Sequence, residues 1–390
     1  MTKKIIPKKD LKNASSRDEA VKTKDKKTDK NINKKLQYIF GFLALVIILI
    51  ISLLLVVYYV YYSDHSVNES ANDLVDSDLP KFDEIQKVED EFVRKLDGAL
   101  VENEDQANPR VAAVMIEDQY QSRPQSGLAA APLVYSTLAE GGITRFVAFF
   151  NGDEAQAKIG PVRSARPYYI EWVSEFDALY GHVGGSPTAL AAISGLGIKD
   201  LNQMTGYYMY YWRDSGRYAP HNAYTSSELL NTAIRDLEIT EGYDFRSWKY
   251  KDETSKEVAG DISIYVDYSS GVTYDAEYRY DNENNDYIRY QAGYPQKDTN
   301  SGDIRVKNIA IVRVSAEDYE YEKGRLILDI SGTGEAWVFR DGLKIHGTWE
   351  KENRTSRTLF YDELSKEIEF NRGNTWVEVV PGERGIIYNE

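Results

Sequence analysis

From Phe40 to Val60 the chain reads FGFLALVIILIISLLLVVYYV, 21 residues without a charge and with one serine, Ser52. At a rise of about 1.5 Å per residue, a helix of that length reaches the roughly 30 Å of a bilayer's hydrocarbon core. Tyr58, Tyr59, Tyr61 and Tyr62 suit one interface, and Tyr38 with Phe40 the other. A cleavable signal peptide has a shorter apolar region and small residues at its cleavage site, where this chain has bulky tyrosines. The expectation is one N-terminal transmembrane helix, over 36–62. Charge is distributed in keeping with it: residues 1–35 carry 13 basic and 5 acidic side chains (+8), 36–62 none, and Ser63 onward 34 basic and 57 acidic (−23), which together give the net −15. A basic flank before the span predicts a single-pass protein of the cell membrane, with a cytoplasmic N-terminus, an extracytoplasmic C-terminal bulk and the membrane as partner of 36–62.

The acidic body excludes a general nucleic-acid binder, which needs a basic face. The absence of cysteine excludes disulfides, thiolate metal sites, a cysteine nucleophile and a lipid attached through sulfur. Residues 1–35, polar and almost free of apolar side chains, are expected to be a disordered basic cytoplasmic tail. Residues 63–81 form a polar tether. Ile85, Val88, Phe92 and Leu96 have the spacing of a short amphipathic helix over 82–96, closed at Asp97-Gly98.

Element types then alternate. Strands are predicted at 111–116, 144–150 and 178–183. Helices are predicted at 132–140, 167–176 and 187–194, with another opened by the capping box Thr225-x-x-Glu228. From about Ile262 the apolar period becomes two, with Gly or Asp-Gly punctuation. The predicted fold class is α+β: a mixed α/β layered N-terminal domain over 82–250, then a mostly antiparallel β domain over 258–385.

Polar side chains gather at element ends in the first of these. Gly160-Pro161-Val162-Arg163-Ser164-Ala165-Arg166-Pro167 leads two guanidiniums into a helix start, where unpaired N–H groups favour an anion. The alternative is that Arg163 and Arg166 pair with acidic residues of their own domain. His182-Val183-Gly184-Gly185-Ser186-Pro187 is a second candidate cradle, with Ser186 also a plausible helix cap. It matches neither a phosphate loop nor a nucleophile elbow. Glu140 and Arg145 flank a Gly-Gly turn, and Glu140 is the best-placed carboxylate. Tyr207, Tyr208, Tyr210, Tyr211 and Trp212 precede Arg213-Asp214, which suits either stacking on a ligand or sheet packing. Four histidines exist, and of these His182 and His221 fall beside the other candidates. No His-x-x-x-His or His-Glu-x-x-His spacing occurs, so neither metal nor cofactor is expected. Asp281 to Asp286 resembles a calcium loop but lacks its glycine at the sixth position and glutamate at the twelfth, which predicts a hairpin turn.

These segments together resemble the YerB-like family, a bacterial lipoprotein-type group built on a domain of unknown function with a separate C-terminal domain. Arg123-Pro124-Gln125-Ser126-Gly127-Leu128, the 140–145, 160–166 and 182–187 motifs, Trp212-Arg213-Asp214 and Pro220-His221-Asn222 carry the resemblance. So do Gly334 to Phe339, Gly347-Thr348-Trp349-Glu350-Lys351 and Asn374 to Pro381, so that it covers roughly residues 95–382. It implies a two-part extracytoplasmic module in a cell-envelope setting, and no reaction. Lipid-anchored members need a cysteine, and the predicted transmembrane helix would stand in its place here.

The function expected is binding of an anionic envelope ligand, such as a cell-wall fragment, by Arg145, Arg163, Ser164, Arg166, His182, Gly184, Gly185, Ser186, Arg213 and His221. One alternative is a wall-acting hydrolase or lyase that uses Glu140 or His182 for proton transfer. Another is a protein-interaction scaffold.

Overall fold

A computed structural model describes residues 50–56, 58, 91–152, 155–239, 244–254, 262–268, 271–320 and 325–389. The chain divides into two units, Met1–Lys87 and Val88–Glu390. In the first, the described residues 50–56 and Tyr58 are helical.

The expectation of a transmembrane helix is corrected at this point. Among the described residues no helix is long and apolar enough to cross a membrane. The run 50–56 reaches only about 10 Å, and the rest of 36–62, like 1–35 and 63–81, lies outside the described residues. Apolar length is a requirement for a span and does not by itself make one. Single-pass topology, the cytoplasmic N-terminus and the membrane as partner all required that helix and fall with it.

The second unit is built on strands β1 (Val111–Glu117), β2 (Leu133–Leu138), β3 (Thr144–Asn151), β4 (Leu179–His182), β5 (Asp200–Asn202), β6 (Ser263–Val266), β7 (Ala276–Asp281), β8 (Asp286–Gln291), β9 (Asn308–Glu320), β10 (Arg325–Asp329), β11 (Gly332–Arg340), β12 (Leu343–Lys351), β13 (Leu359–Asp362), β14 (Thr375–Pro381) and β15 (Ile386–Tyr388). Its main helices are α1 (Pro167–Ser174), α2 (Pro187–Leu196) and α3 (Ser227–Asp236). Eleven strands form one sheet, in the order β13-β12-β11-β9-β14-β2-β3-β1-β4-β5 with β10 added to β9. The strands of the two sequence halves meet inside it, where β14 runs parallel to both β9 and β2. A second sheet has the core order β8-β7-β6-β15 and is antiparallel. The mixed α/β character of the N-terminal part and the antiparallel β character of the C-terminal part both hold.

All seven residues of β1 are buried. Ala112, Val114 and Ile116 enter one hydrophobic cluster, and Val111, Ala113 and Met115 the other. A strand covered on both faces reads as an unbroken apolar run, which is why VAAVMI shows no alternation. The first cluster also takes residues of the second sheet, among them Ile264, Tyr278 and Tyr287, and the second takes the buried face of α1. The second sheet is pinned through Glu378 of β14. This fully buried carboxylate accepts hydrogen bonds from Tyr268 and Tyr278 and pairs with Arg289, whose guanidinium lies 4.6 Å from the Trp376 ring.

Two predicted helices are corrected. Residues 132–140 hold β2, whose six residues are all buried between β3 and β14. Of the helix expected over 82–96, residues 82–90 lie outside the described ones, and Phe92–Val93 pairs antiparallel with Leu100–Val101. Gly98 turns that hairpin at φ +74°, where a Cβ would stand 2.3 Å from the Tyr250 ring, so the position excludes any side chain. The hairpin expected at Asp281–Asp286 joins β7 to β8.

Candidate functional site

β1 ends in Glu117, and the segment after Gly160 is laid beside it: Glu117 N–H donates to Pro161 O at 2.9 Å and Arg163 N–H to Met115 O at 2.9 Å. The other edge of that segment meets the loop after β4. Val183 N–H donates to Arg163 O at 3.1 Å, Ala165 N–H to Gly184 O at 2.9 Å, and Ala165 bridges Gly185 in parallel. Gly184 takes φ +61°, and its N–H donates to Asn202 Oδ1 at 2.9 Å. The two motifs singled out in the sequence as anion cradles, 160–166 and 182–187, are therefore neighbours.

Their arginines are spent unequally. Arg166 grips Glu140 with Nε, at 2.7 Å, and Nη2, and donates Nη1 to Ala165 O at 2.6 Å. Arg145 donates Nη2 to Glu140 at 3.2 Å and Nη1 to Ser164 O at 2.9 Å. Burial alone would raise the Glu140 carboxyl, but Arg145 and Arg166 outweigh it and hold the pKa at about 2. Arg163 differs. Its Nε lies 2.8 Å from Glu117 Oε1 without hydrogen-bond alignment, and neither Nη group has a hydrogen-bond partner among the described residues. Burial, and then the like charges of Arg145 and Arg166, push its pKa down against the pull of Glu117. Three guanidiniums share two carboxylates, which leaves one surplus positive charge.

His221 is held on the opposite oxygen of the same carboxylate, with Nδ1 2.8 Å from Glu117 Oε2. Nε2 has no hydrogen-bond partner among the described residues, and the side chain is partly exposed. Arg213 donates to Asn222 Oδ1 at 2.9 Å, beside His221, and is exposed. His182 is placed otherwise. It is fully buried, with Nδ1 2.8 Å from Gly184 O and Nε2 2.8 Å from Asp200, so both ring nitrogens are committed. Ser186 caps α2, accepting from Ala189 N–H at 3.2 Å, and Ser164 donates to Val183 O at 2.9 Å.

Glu140, Arg166 and Ser186 also line a cavity of about 450 Å³, walled on its far side by Leu326, Ile327, Leu328 and Ile330. Arg163, Arg213 and His221 stand outside it. The tyrosine patch divides: Tyr210 and Tyr211 are buried, with hydroxyls donating to Asp236 and Leu201 O, while Tyr208 is exposed. His346 of β12 lies apart, between Glu335 of β11 and Glu363 in the turn after β13, and His65 falls outside the described residues. Among the described residues no group of three His, Cys, Asp or Glu side chains could hold a metal.

The residue that sequence reasoning missed is Glu117, the carboxylate that fixes both Arg163 and His221. Its one local signal is a charge closing an apolar strand.

Residues 96–240 match the family described as "Protein of unknown function (DUF3048) N-terminal domain", and 264–377 match its C-terminal domain. The chain is 30% identical over 274 residues to "Putative lipoprotein YerB" of Bacillus subtilis (strain 168), covering 70% of this chain and 81% of that protein. The crystal structure of the Bacillus subtilis YerB protein superposes with a TM-score of 0.67 at 28% identity, over 76% of this chain and 99% of that one.

Proposed function

This chain belongs to the DUF3048 family, and on that footing we propose that it is a cell-envelope protein that binds an anionic envelope ligand, such as a cell-wall fragment, at the Arg163 patch. The observation that carries this reading is Arg163 itself. Glu117 holds its guanidinium in place, and its N–H groups make no aligned hydrogen bond among the described residues. A preorganised donor fork with surplus positive charge nearby is what a carboxylate or phosphate recognises. Arg145 and Arg166 contribute field rather than contacts, because both are buried and turn their Nη groups to Glu140 and to backbone carbonyls. The lipoprotein name of the Bacillus subtilis relative supports an extracytoplasmic setting. Proton transfer by Glu140 or His182 gains nothing from the geometry: one is a carboxylate held at about 2, the other a buried imidazole with both nitrogens in use.

Calorimetry and thermal melting of the full-length protein with muropeptides and with wall phosphopolymers test the proposal. Binding is expected, with a melting temperature that climbs with ligand concentration. Arg163→Ala is expected to weaken it at least tenfold, about 1.4 kcal/mol. If every anionic wall fraction leaves the melting curve and the heat unchanged, the reading is wrong.

A further inference from the structure

Glu117 arranges two unused groups on one small patch. Oε1 positions the Arg163 fork, and Oε2 takes Nδ1 of His221, which leaves Nε2 uncommitted among the described residues. The carboxylate is nearly fully buried, while Arg163 and His221 each keep part of the side chain at the surface. A buried acceptor with a partly exposed donor on each oxygen holds both side chains in register for something outside.

The chemistry of that something follows from what the fork and the ring each ask of an anion. An arginine fork takes two oxygens of a planar or tetrahedral anion in parallel. An ionised carboxylate offers acceptors alone, so beside the fork it has no proton to give a neutral imidazole. A phosphate monoester has three terminal oxygens, one of which titrates near neutrality. With Glu117 accepting from Nδ1–H, Nε2 of the neutral ring accepts a hydrogen bond, and a P–OH supplies one. If the ring takes that proton instead, the same contact runs from N–H to phosphate oxygen. Either way one proton lies between Nε2 and the third oxygen. A phosphodiester, ionised and without a P–OH, likewise has no proton to give the neutral ring.

Resting on the anion-site reading above, we propose that the ligand recognised by Arg163 and His221 is a phosphate monoester group. Arg213, tied to Asn222 beside His221, adds positive charge at the rim, and Glu140 is neutralised by Arg145 and Arg166.

The probes are inorganic phosphate, glycerol 3-phosphate and acetate, titrated into the full-length protein by calorimetry, with the His221 ring followed by nitrogen NMR. Both phosphates are expected to bind at least tenfold more tightly than acetate and to shift the Nε2 resonance. His221→Gln, which keeps a donor for Glu117, is expected to cost at least fivefold in phosphate affinity and to leave acetate unchanged. Arg163→Lys, which removes the fork, is expected to weaken both. Equal affinity for phosphate and acetate, with no effect of His221→Gln on either, overturns the monoester assignment while the anion site stands. Failure of all three anions and of muropeptides overturns the underlying reading instead. Sedimentation with phosphatidic acid vesicles, compared with phosphatidylcholine vesicles, separates the sources of such a group. Co-sedimentation supports a lipid headgroup. Its absence, with glycerol 3-phosphate still bound, supports a soluble or polymer-end monoester.

Discussion

Glu140 shows how two arginines reverse the effect of burial on an acid. Its folded pKa of about 2 lies below its ordinary 4.5, so its ionised form favours the fold. That contribution is complete above the unfolded value and disappears as pH falls through the folded one. Denaturant unfolding at a series of pH values should show it. The stability advantage of the wild type over Glu140→Gln is expected to be constant near neutrality and to shrink between about pH 4.5 and 2. A difference that does not change with pH across that window would mean that the two arginines do not act on this carboxyl in the folded state. Arg163 makes the opposite case. Its partner Glu117 is shared with His221, so the ion pair fixes a position without using up the donors, and position is what a binding residue needs.

At the scale of the element, α2 is held by local chemistry. Ser186 supplies the N-cap, Pro187 the first turn, and Gly197 ends the helix with φ +66°. Ser186→Ala is expected to cost about 1 kcal/mol in unfolding free energy. If Ser186 serves as a cap alone, calorimetry should find ligand affinity at the Arg163 patch unchanged. Such punctuation made α1 and α2 legible in the sequence, with Ser186 recognised as a possible cap. The same punctuation misled at 132–140, where Pro132 and Gly141-Gly142 bracket a run too short for its period to decide between helix and strand. What makes it a strand is pairing on both edges, with β3 across the Gly-Gly turn and with β14, and no local pattern announces a neighbour more than two hundred residues away. The capping box at Thr225 was read one residue early, for the oxygen that caps α3 is that of Ser226. The site was legible to the same extent. Its arginines and glycines stood in compact motifs, whereas Glu117 gains its meaning from His221, 104 residues further on.

At the scale of the molecule, the β14–β2 pair joins the two sequence halves at the centre of one sheet. A fragment ending at residue 250 would leave the buried strand β2 as an open edge and strip one covering layer from the core. That fragment is expected to show no cooperative thermal transition and to aggregate, while the full-length chain unfolds in a single step for the second unit. A sharp, reversible transition from the fragment would show that the N-terminal half completes its own core.

The parallel pair also fixes an order of events. Thr137 donates its hydroxyl to Val379 O, a contact between residues 242 positions apart in the chain. At a synthesis rate of about 5–20 residues per second, β2 waits roughly 10–50 s for the strand that covers it. During that interval the first half of the protein is half a sheet with β2 as its open edge, and that edge must be shielded until β14 is made. A premature stop before residue 375 is therefore expected to leave β2 uncovered, however completely the strands from Val111 onward have been made.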